Sequence, residues 1–384
     1  MQPSMIRRAP FAILLVVTTV AAGRARADAA PVAAPPYTSA SQCARCHPTI
    51  HKYWSESEHA RAATSPGFRA SLAEVAGGAS DTAAATQSCA WCHAPTALVS
   101  GDWALAGAIA REGVTCDFCH TIAGVDLGRN GHPFDLRPGR VKRGPLEYAK
   151  SPAHDTAYSV LHKSSALLCA SCHEYTNALG APVLSTYAEW AAGPYPARGQ
   201  TCQECHMPMV PGATVSEGLQ PTQRRINLHR MSGGTPPGRV QVGLDLRFGA
   251  VAVGAESADV EVVVANEAVG HSAPGGLSTK SLVLSVGVDT GSPDLANRRE
   301  RVYRREMKGA DGHVLATVAD LFLKAASVGE DSRIRQKEAR TERFTVPLPA
   351  GWKAIVARLE YRDSSDPASP KTRLISEQRR ERPR

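Results

Sequence analysis

All ten cysteines of this 384-residue chain fall into five copies of one pattern, Cys-x-x-Cys-His. They read Cys43-Ala-Arg-Cys46-His47, Cys89-Ala-Trp-Cys92-His93, Cys116-Asp-Phe-Cys119-His120, Cys169-Ala-Ser-Cys172-His173 and Cys202-Gln-Glu-Cys205-His206. With 10 cysteines and 13 histidines, about one cysteine in a thousand would have Cys at +3 and His at +4 by chance. On a helical turn, positions i, i+3 and i+4 share one face. Two thiols so placed can form thioethers with the two vinyl groups of one haem, and the imidazole that follows becomes the proximal ligand of its iron. Zinc needs four ligands from paired motifs. Disulfides have no use for a histidine after every second cysteine, and thioredoxin-like chemistry uses a single Cys-x-x-Cys. The pattern predicts five covalent haems c, with proximal ligands His47, His93, His120, His173 and His206.

The start of the chain agrees. Arg7 and Arg8 precede an apolar run from Ala9 to Gly23, and Ala25-Arg26-Ala27 fits a small-x-small cleavage site. A signal peptide over 1–27 is therefore expected, with export to the periplasmic or extracellular side, where haem c is attached. The apolar run has 15 residues, short of the roughly 18–20 of a spanning helix, and no later stretch reads as a stable membrane span. Net charge falls from +8 to +4 once the four arginines of that segment are removed, leaving 40 basic against 36 acidic residues. The propionates of five haems would bring this near neutral. No basic block remains beyond the short terminal run Arg379–Arg384, so nucleic acid is not an expected partner. Aromatics are only 5% of the chain, which suits a core whose flat apolar volume comes from porphyrin.

Function then turns on the far side of each iron. Eight histidines remain: His51, His59, His132, His154, His162, His229, His271 and His313. A mostly polar helix is expected over Thr49–Ala63. His59 lies 12 residues beyond His47, about 18 Å along such a helix, so it can cap only a neighbouring haem. His51 suits packing or a propionate contact. Ser151-Pro152 reads as a helix N-cap and N1 pair, opening a helix through His154 and His162 toward Cys169. Those two histidines could serve adjacent haems. His132 sits in a turn and is a weaker candidate. His229 follows the last motif in a Gly/Pro-rich stretch, with Met231 as an alternative ligand. Met207 and Met209 read as haem-edge packing, and His313 as exposed.

Past residue 236 the period changes to two. Val240–Phe248, Val260–Val264, Leu282–Val288, Arg340–Val346 and Lys353–Tyr361 alternate between turn signals, which argues for an antiparallel sandwich. His271, in the loop Val269–Gly276, is either a satisfied loop histidine or a ligand reaching back across the interface. The expected architecture is a mainly α multihaem cytochrome c domain of short helices followed by an all-β, Ig-like sandwich. Its parts are a haem domain (37–210), a linker carrying a candidate distal histidine (211–235), the β-sandwich (236–365) and a flexible charged tail (366–384).

The segments CARCHPTIHKYWSESEHARAA, GVTCDFCH, SPAHDTAYSVLHKSSALLCASCHE, GQTCQECHMP and NEAVGHSAPGG resemble the multihaem cytochrome c group that includes cytochrome c-554 and relatives of hydroxylamine oxidoreductase. The resemblance spans about residues 37–290. It implies closely packed, mostly bis-histidine haems and electron transfer. It also implies distal ligation by His59 and by the His-x-x-x-Gly-Gly and Gly-His-x-x-Pro-x-Gly segments, hence His229 and His271. The chain lacks the Cys-x-x-Cys-Lys motif of ammonia-forming nitrite reductases, and it departs from tetrahaem members in its fifth motif and long β region. With His59, His154, His162, His229 and His271 as five distal candidates for five haems, the first reading is an electron carrier, not an enzyme, exchanging electrons with other redox proteins. The second is an enzyme acting on nitrite, hydroxylamine or sulfite at one five-coordinate haem. The third is a subunit of a conductive haem filament; homo-oligomers fit any of the three. On the first reading, His162→Ala leaves one iron five-coordinate.

Overall fold

The structure is a computed structural model that describes residues 37–78, 82–129, 131–211, 215–216, 225–231 and 243–383. The expected signal peptide and the start of the alternating run at Val240 and Val242 lie outside the described residues. Among the described residues no helix is long and apolar enough to cross a membrane.

The first part of the chain is built from short helices tied by two-stranded ribbons. Helices run over Ala40–Cys43, Pro48–Ser55, Pro66–Gly78, Thr82–His93, Cys116–Thr121, Leu167–His173 and Cys202–His206. The buried apolar residues here form small separate clusters. One gathers Ala63, Phe68, Ala90, Ala94, Leu105 and Ala110; another joins Tyr37, Phe118, Ile122 and Phe134. Each flanks a Cys-His helix, the packing expected where flat prosthetic groups supply most of the core.

Two expected helices are shorter than the sequence suggests. The helix begun at Pro48 stops at Ser55, because the chain turns where the His59 carbonyl accepts Val114 N–H (3.0 Å) and Trp54 Nε1 donates to the Val114 carbonyl (2.9 Å). Ser151 Oγ does accept from Ala153 and His154 N–H, yet no long helix follows. Asp155–Tyr158 pairs in parallel with Val141–Gly144, and that ladder claims the backbone groups a helix would need. Helix resumes only over Val160–Ser164.

The C-terminal part is two antiparallel sheets sharing one apolar core. One holds Ala339–Pro347, Ser257–Asn266 and Leu244–Val253; the other holds Ala296–Tyr303, Lys280–Asp289, Ala354–Asp363 and Lys371–Glu381. Their inner faces meet through Leu246, Val260, Val262 and Val264 from one sheet and Leu282, Leu284, Val286, Ile355 and Leu359 from the other. At about 1.5–3 kcal/mol per buried aliphatic side chain, this cluster holds the β part together without a prosthetic group. The outer face of the central strand is also covered: Val283 and Ser285 lie under an ion-pair lattice of Arg298, Glu300, Glu360 and Arg362. The expected flexible tail is instead an edge strand, Lys371–Glu381, paired along its length with Ala354–Asp363. Its alternation is hidden because the exposed side carries charge and only Ile375 is buried in the core.

Buried polar contacts lock the two parts together. Arg305, almost fully buried, donates to Ser185 Oγ and the Val183 carbonyl (both 2.6 Å). Asn177 Nδ2 donates to the Ala325 carbonyl at 2.7 Å. A third apolar cluster, with Ala181 and Val183 against Met307, Leu321 and Ala325, fills the seam.

Candidate haem-binding site

Four motifs sit in helices, and the first closes its turn at the end of Ala40–Cys43 with His47 N–H on the Cys43 carbonyl (2.9 Å). Each motif thus presents its two thiols and its imidazole on one side of a helical turn. No disulfide joins any of the ten cysteines. Thiols of different motifs also approach one another: Cys43 hydrogen-bonds with Cys116, Cys92 with Cys172, and Cys169 with Cys202. Cys119 lies near enough to Cys172 and Cys169 for their charges to interact.

A metal-ligating histidine needs one nitrogen held as N–H so that the other keeps its lone pair. Backbone carbonyls do this here. Nδ1–H of His93 faces the Ala62 carbonyl (3.1 Å), His154 that of Asp155 (3.0 Å), His229 that of Asn227 (2.7 Å) and His271 that of Ser272 (2.9 Å). His47 and His120 donate in the same way to Val215 and Arg143. His59 is different, with Nδ1 against Met231 Sδ at 2.9 Å. In all seven this leaves the lone pair on Nε2. Burial lowers the pKa of His59 and His229 to about 4 and of His173 to about 3, and lowers those of His93, His120 and His271 as well. These rings are therefore neutral, the form that binds a metal.

Two imidazoles bound through Nε2 to one metal, at roughly 2.0–2.1 Å each, put their ring centres about 6 Å apart. Three pairs of a motif histidine and a remote one show that spacing: His47 with His154 at 6.3 Å, His173 with His59 at 6.1 Å, and His120 with His229 at 6.3 Å. His271 lies close enough to His206 for the two rings to act on each other's charge. What packs on the His93 ring, among the described residues, is Phe68 at 4.3 Å and 8°.

The remaining sequence candidates are placed otherwise. His162 lies 5.6 Å from the His120 ring, but its Nε2 faces the Cys119 carbonyl at 2.8 Å and its Nδ1 the Ser159 hydroxyl at 2.8 Å. A nitrogen against a carbonyl must carry the hydrogen, so Nε2 offers no lone pair. His132 accepts the Phe134 N–H on Nδ1 (3.3 Å), and His51 packs on Trp54 at 5.5 Å. Met209 is exposed on the protein side in the ribbon Met209–Pro211. His313 is exposed in its turn.

Sequence reasoning missed the residues that hold His271. Glu189 Oε2 accepts Ser272 N–H (3.0 Å), while its Oε1 accepts from Arg333 and from Ser185 Oγ (both 2.7 Å). Gln336 Nε2 bridges the Glu189 and Gly270 carbonyls. Arg333 is only 6% exposed in its side chain and also binds Asp331. The one available signal was Gly275, where a Cβ would lie 2.5 Å from His271 Cε1.

The residues fit haem. Besides thiols and neutral imidazoles, buried polar atoms without a protein partner flank the fifth motif: Tyr195 Oη, Thr201 Oγ1 and Gln203 Oε1. The two hydroxyls are the kind of donor a propionate takes.

The family described as cytochrome c554 and c-prime matches residues 42–121, which hold the first three motifs. In fold, the chain is similar to a penta-haem cytochrome c552 from Thermochromatium tepidum, with a TM-score of 0.72 at 20% identity, over 90% of this chain and 99% of that one. A β-glucosidase from Kluyveromyces marxianus aligns over 36% of this chain and 14% of its own, at 12% identity and a TM-score of 0.16, too low to carry an argument. No curated protein matches. The family match and the fold together support a multihaem c-type cytochrome with covalently bound haem, and the solved neighbour suggests five.

Proposed function

We propose that this chain is an exported penta-haem cytochrome c that carries electrons between redox proteins. The observation that carries the reading is the set of histidine pairs in which a Cys-x-x-Cys-His imidazole stands about 6 Å from a remote one. When bound, each haem supplies a one-electron ferric–ferrous couple. The chain does the rest. Its thiols would anchor each macrocycle, the Nδ1 contacts would aim each Nε2, and four remote imidazoles would close four of the five irons to other ligands. The thiol contacts set the order: the first motif neighbours the third, and the fourth neighbours the second, third and fifth. The β part supplies His271. Bis-histidine ligation without an axial methionine points to low potentials.

Haem quantified against protein, with electron paramagnetic resonance of the oxidised protein, tests this. Five haems per chain are expected, four of them low-spin. A ratio of two or fewer would sink the reading.

One observation favours a second reading for one site. Phe68 stacks on the face of the His93 ring, and among the described residues no remote imidazole stands at the about 6 Å ring spacing of the three pairs, so an iron held there would have no paired histidine on its far side. A high-spin signal of one equivalent that shifts with nitrite, hydroxylamine or sulfite would make this site an enzyme centre. A signal indifferent to all three would remove that reading.

The pair near His120 is resolved by substitution. His229→Ala is expected to add one high-spin equivalent. His162→Ala is expected to leave the spin count unchanged, because its Nε2 is engaged by Cys119. The reverse result would exchange their roles.

A further inference from the structure

His59 is held unlike the other remote histidines of the pairs. His154, His229 and His271 each give Nδ1–H to a backbone carbonyl, whereas His59 gives its own to the thioether of Met231, 172 residues away. Sulfur is a weak acceptor. A strong acceptor pulls the proton away and makes the imidazole more basic, which favours the ferric state; a weak one does so less. Met231 is not there by accident of a loose loop. Its backbone is in the left-handed region (φ +47°), which a side chain of its kind rarely adopts. Its neighbour Arg230 is pinned by an ion pair to Glu56 and by the Tyr53 ring at 5.5 Å.

A second observation concerns the other ring of the same pair. Lys280 opens the strand Lys280–Asp289 opposite Asp363, a Cβ on Gly276 of the His271 loop would lie 3.3 Å from its Nζ, and its charge acts on the His173 ring. Asp363 and Glu58 also face Lys280 and offset it in part. A cation near an iron favours the reduced state, whose net charge is one unit lower.

We propose that Met231 and Lys280 are positioning residues that give the haem between His173 and His59 the highest potential among the bis-histidine haems, making the fourth motif the place where electrons collect. This rests on the electron-carrier reading above and adds the direction of flow. The fourth motif's thiols approach those of the second, third and fifth, so an electron entering at any of these has the fourth within one step. Reduction adds one electron from a neighbouring ferrous haem to a ferric iron. No bond is made or broken, and the proton stays on His59 Nδ1.

The test is a redox titration of the full holoprotein, followed by electron paramagnetic resonance, on the parent and on Met231→Gln, Met231→Leu and Lys280→Met. The signal belonging to the fourth motif is the one converted to high-spin in His59→Ala. In the parent that signal is expected to have the highest midpoint of the low-spin set. Met231→Gln supplies a carbonyl acceptor and Lys280→Met removes the charge. Each is expected to make that one haem about tenfold harder to reduce, a fall of about 59 mV for a one-electron couple, with the other four unmoved. Met231→Leu, with no acceptor, is expected not to lower it. An unmoved midpoint in both variants, or shifts on two different haems, would overturn the proposal. Failure of the carrier reading would show separately, as a parent with too few haems.

Discussion

Gly275→Ala is expected to convert one haem from low-spin to high-spin without unfolding the β part. A Cβ at this position would lie 2.5 Å from Cε1 and 2.7 Å from Nδ1 of His271, so the ring and the methyl group cannot both stay. The ring has no easy retreat. Its Nδ1 is bound to the Ser272 carbonyl, its own carbonyl accepts from Asn266 Nδ2 (3.0 Å), and Ser272 is clamped by Glu189. Overpacking of this kind costs about 1–3 kcal/mol, against a β core that contributes far more. The loss should therefore fall on ligation. His271→Ala gives the comparison spectrum, and thermal unfolding of the two variants separates local from global damage. A wholly parental spectrum for Gly275→Ala would mean that His271 does not hold an iron.

Gly113→Ala is expected to be the more damaging substitution. Gly113 has φ +71°, and a Cβ there would run into the His59 carbonyl oxygen, with Ala62 N at 3.1 Å and Ala60 O at 3.3 Å. All three neighbours are backbone, which cannot rotate aside. The left-handed strain and the overpacking together cost about 2–5 kcal/mol. The displaced turn carries His59 away from His173 and breaks the hydrogen bond from Val114 N–H to His59. The expected result is a lower yield of holoprotein, with the signal of the fourth haem turned high-spin in what is recovered. Because a poorly folded variant could hide the ligand effect, His59→Ala is a useful partner, since it removes the imidazole without a backbone clash. Full parental yield and spectrum in Gly113→Ala would show that the His59 turn does not depend on this close approach.

Glycine chemistry of this kind was hidden in the sequence for a physical reason. Gly113 precedes the third motif in chain order, yet it serves the turn around His59, a contact that exists only once the chain has folded back. The same holds for Glu189 and Arg333, which in the sequence are an acid and a base among many. Their roles follow from burial on the seam between the two parts. The short helices are a related case: Asp155–Tyr158 has a local helix start before it, but a strand pairing with Val141–Gly144 overrides it. Local propensity is a weak prior against such a ladder.

What the sequence determined by itself is what lies within one helical turn or one strand. The Cys-x-x-Cys-His spacing places two thiols and an imidazole on one face with no help from the rest of the chain, and four of the five motifs do sit inside helices. The period-2 runs likewise foretold the β-rich C-terminal part, since alternation is a property of each strand alone. Which remote imidazole meets which motif, by contrast, belongs to the tertiary structure. His47 with His154, His120 with His229, and His173 with His59 are partners across long loops, and no local spacing encodes that. Tertiary contact also set His162 apart from the other candidates, because its Nε2 faces the Cys119 carbonyl. The pairing of the histidines was decided by the fold.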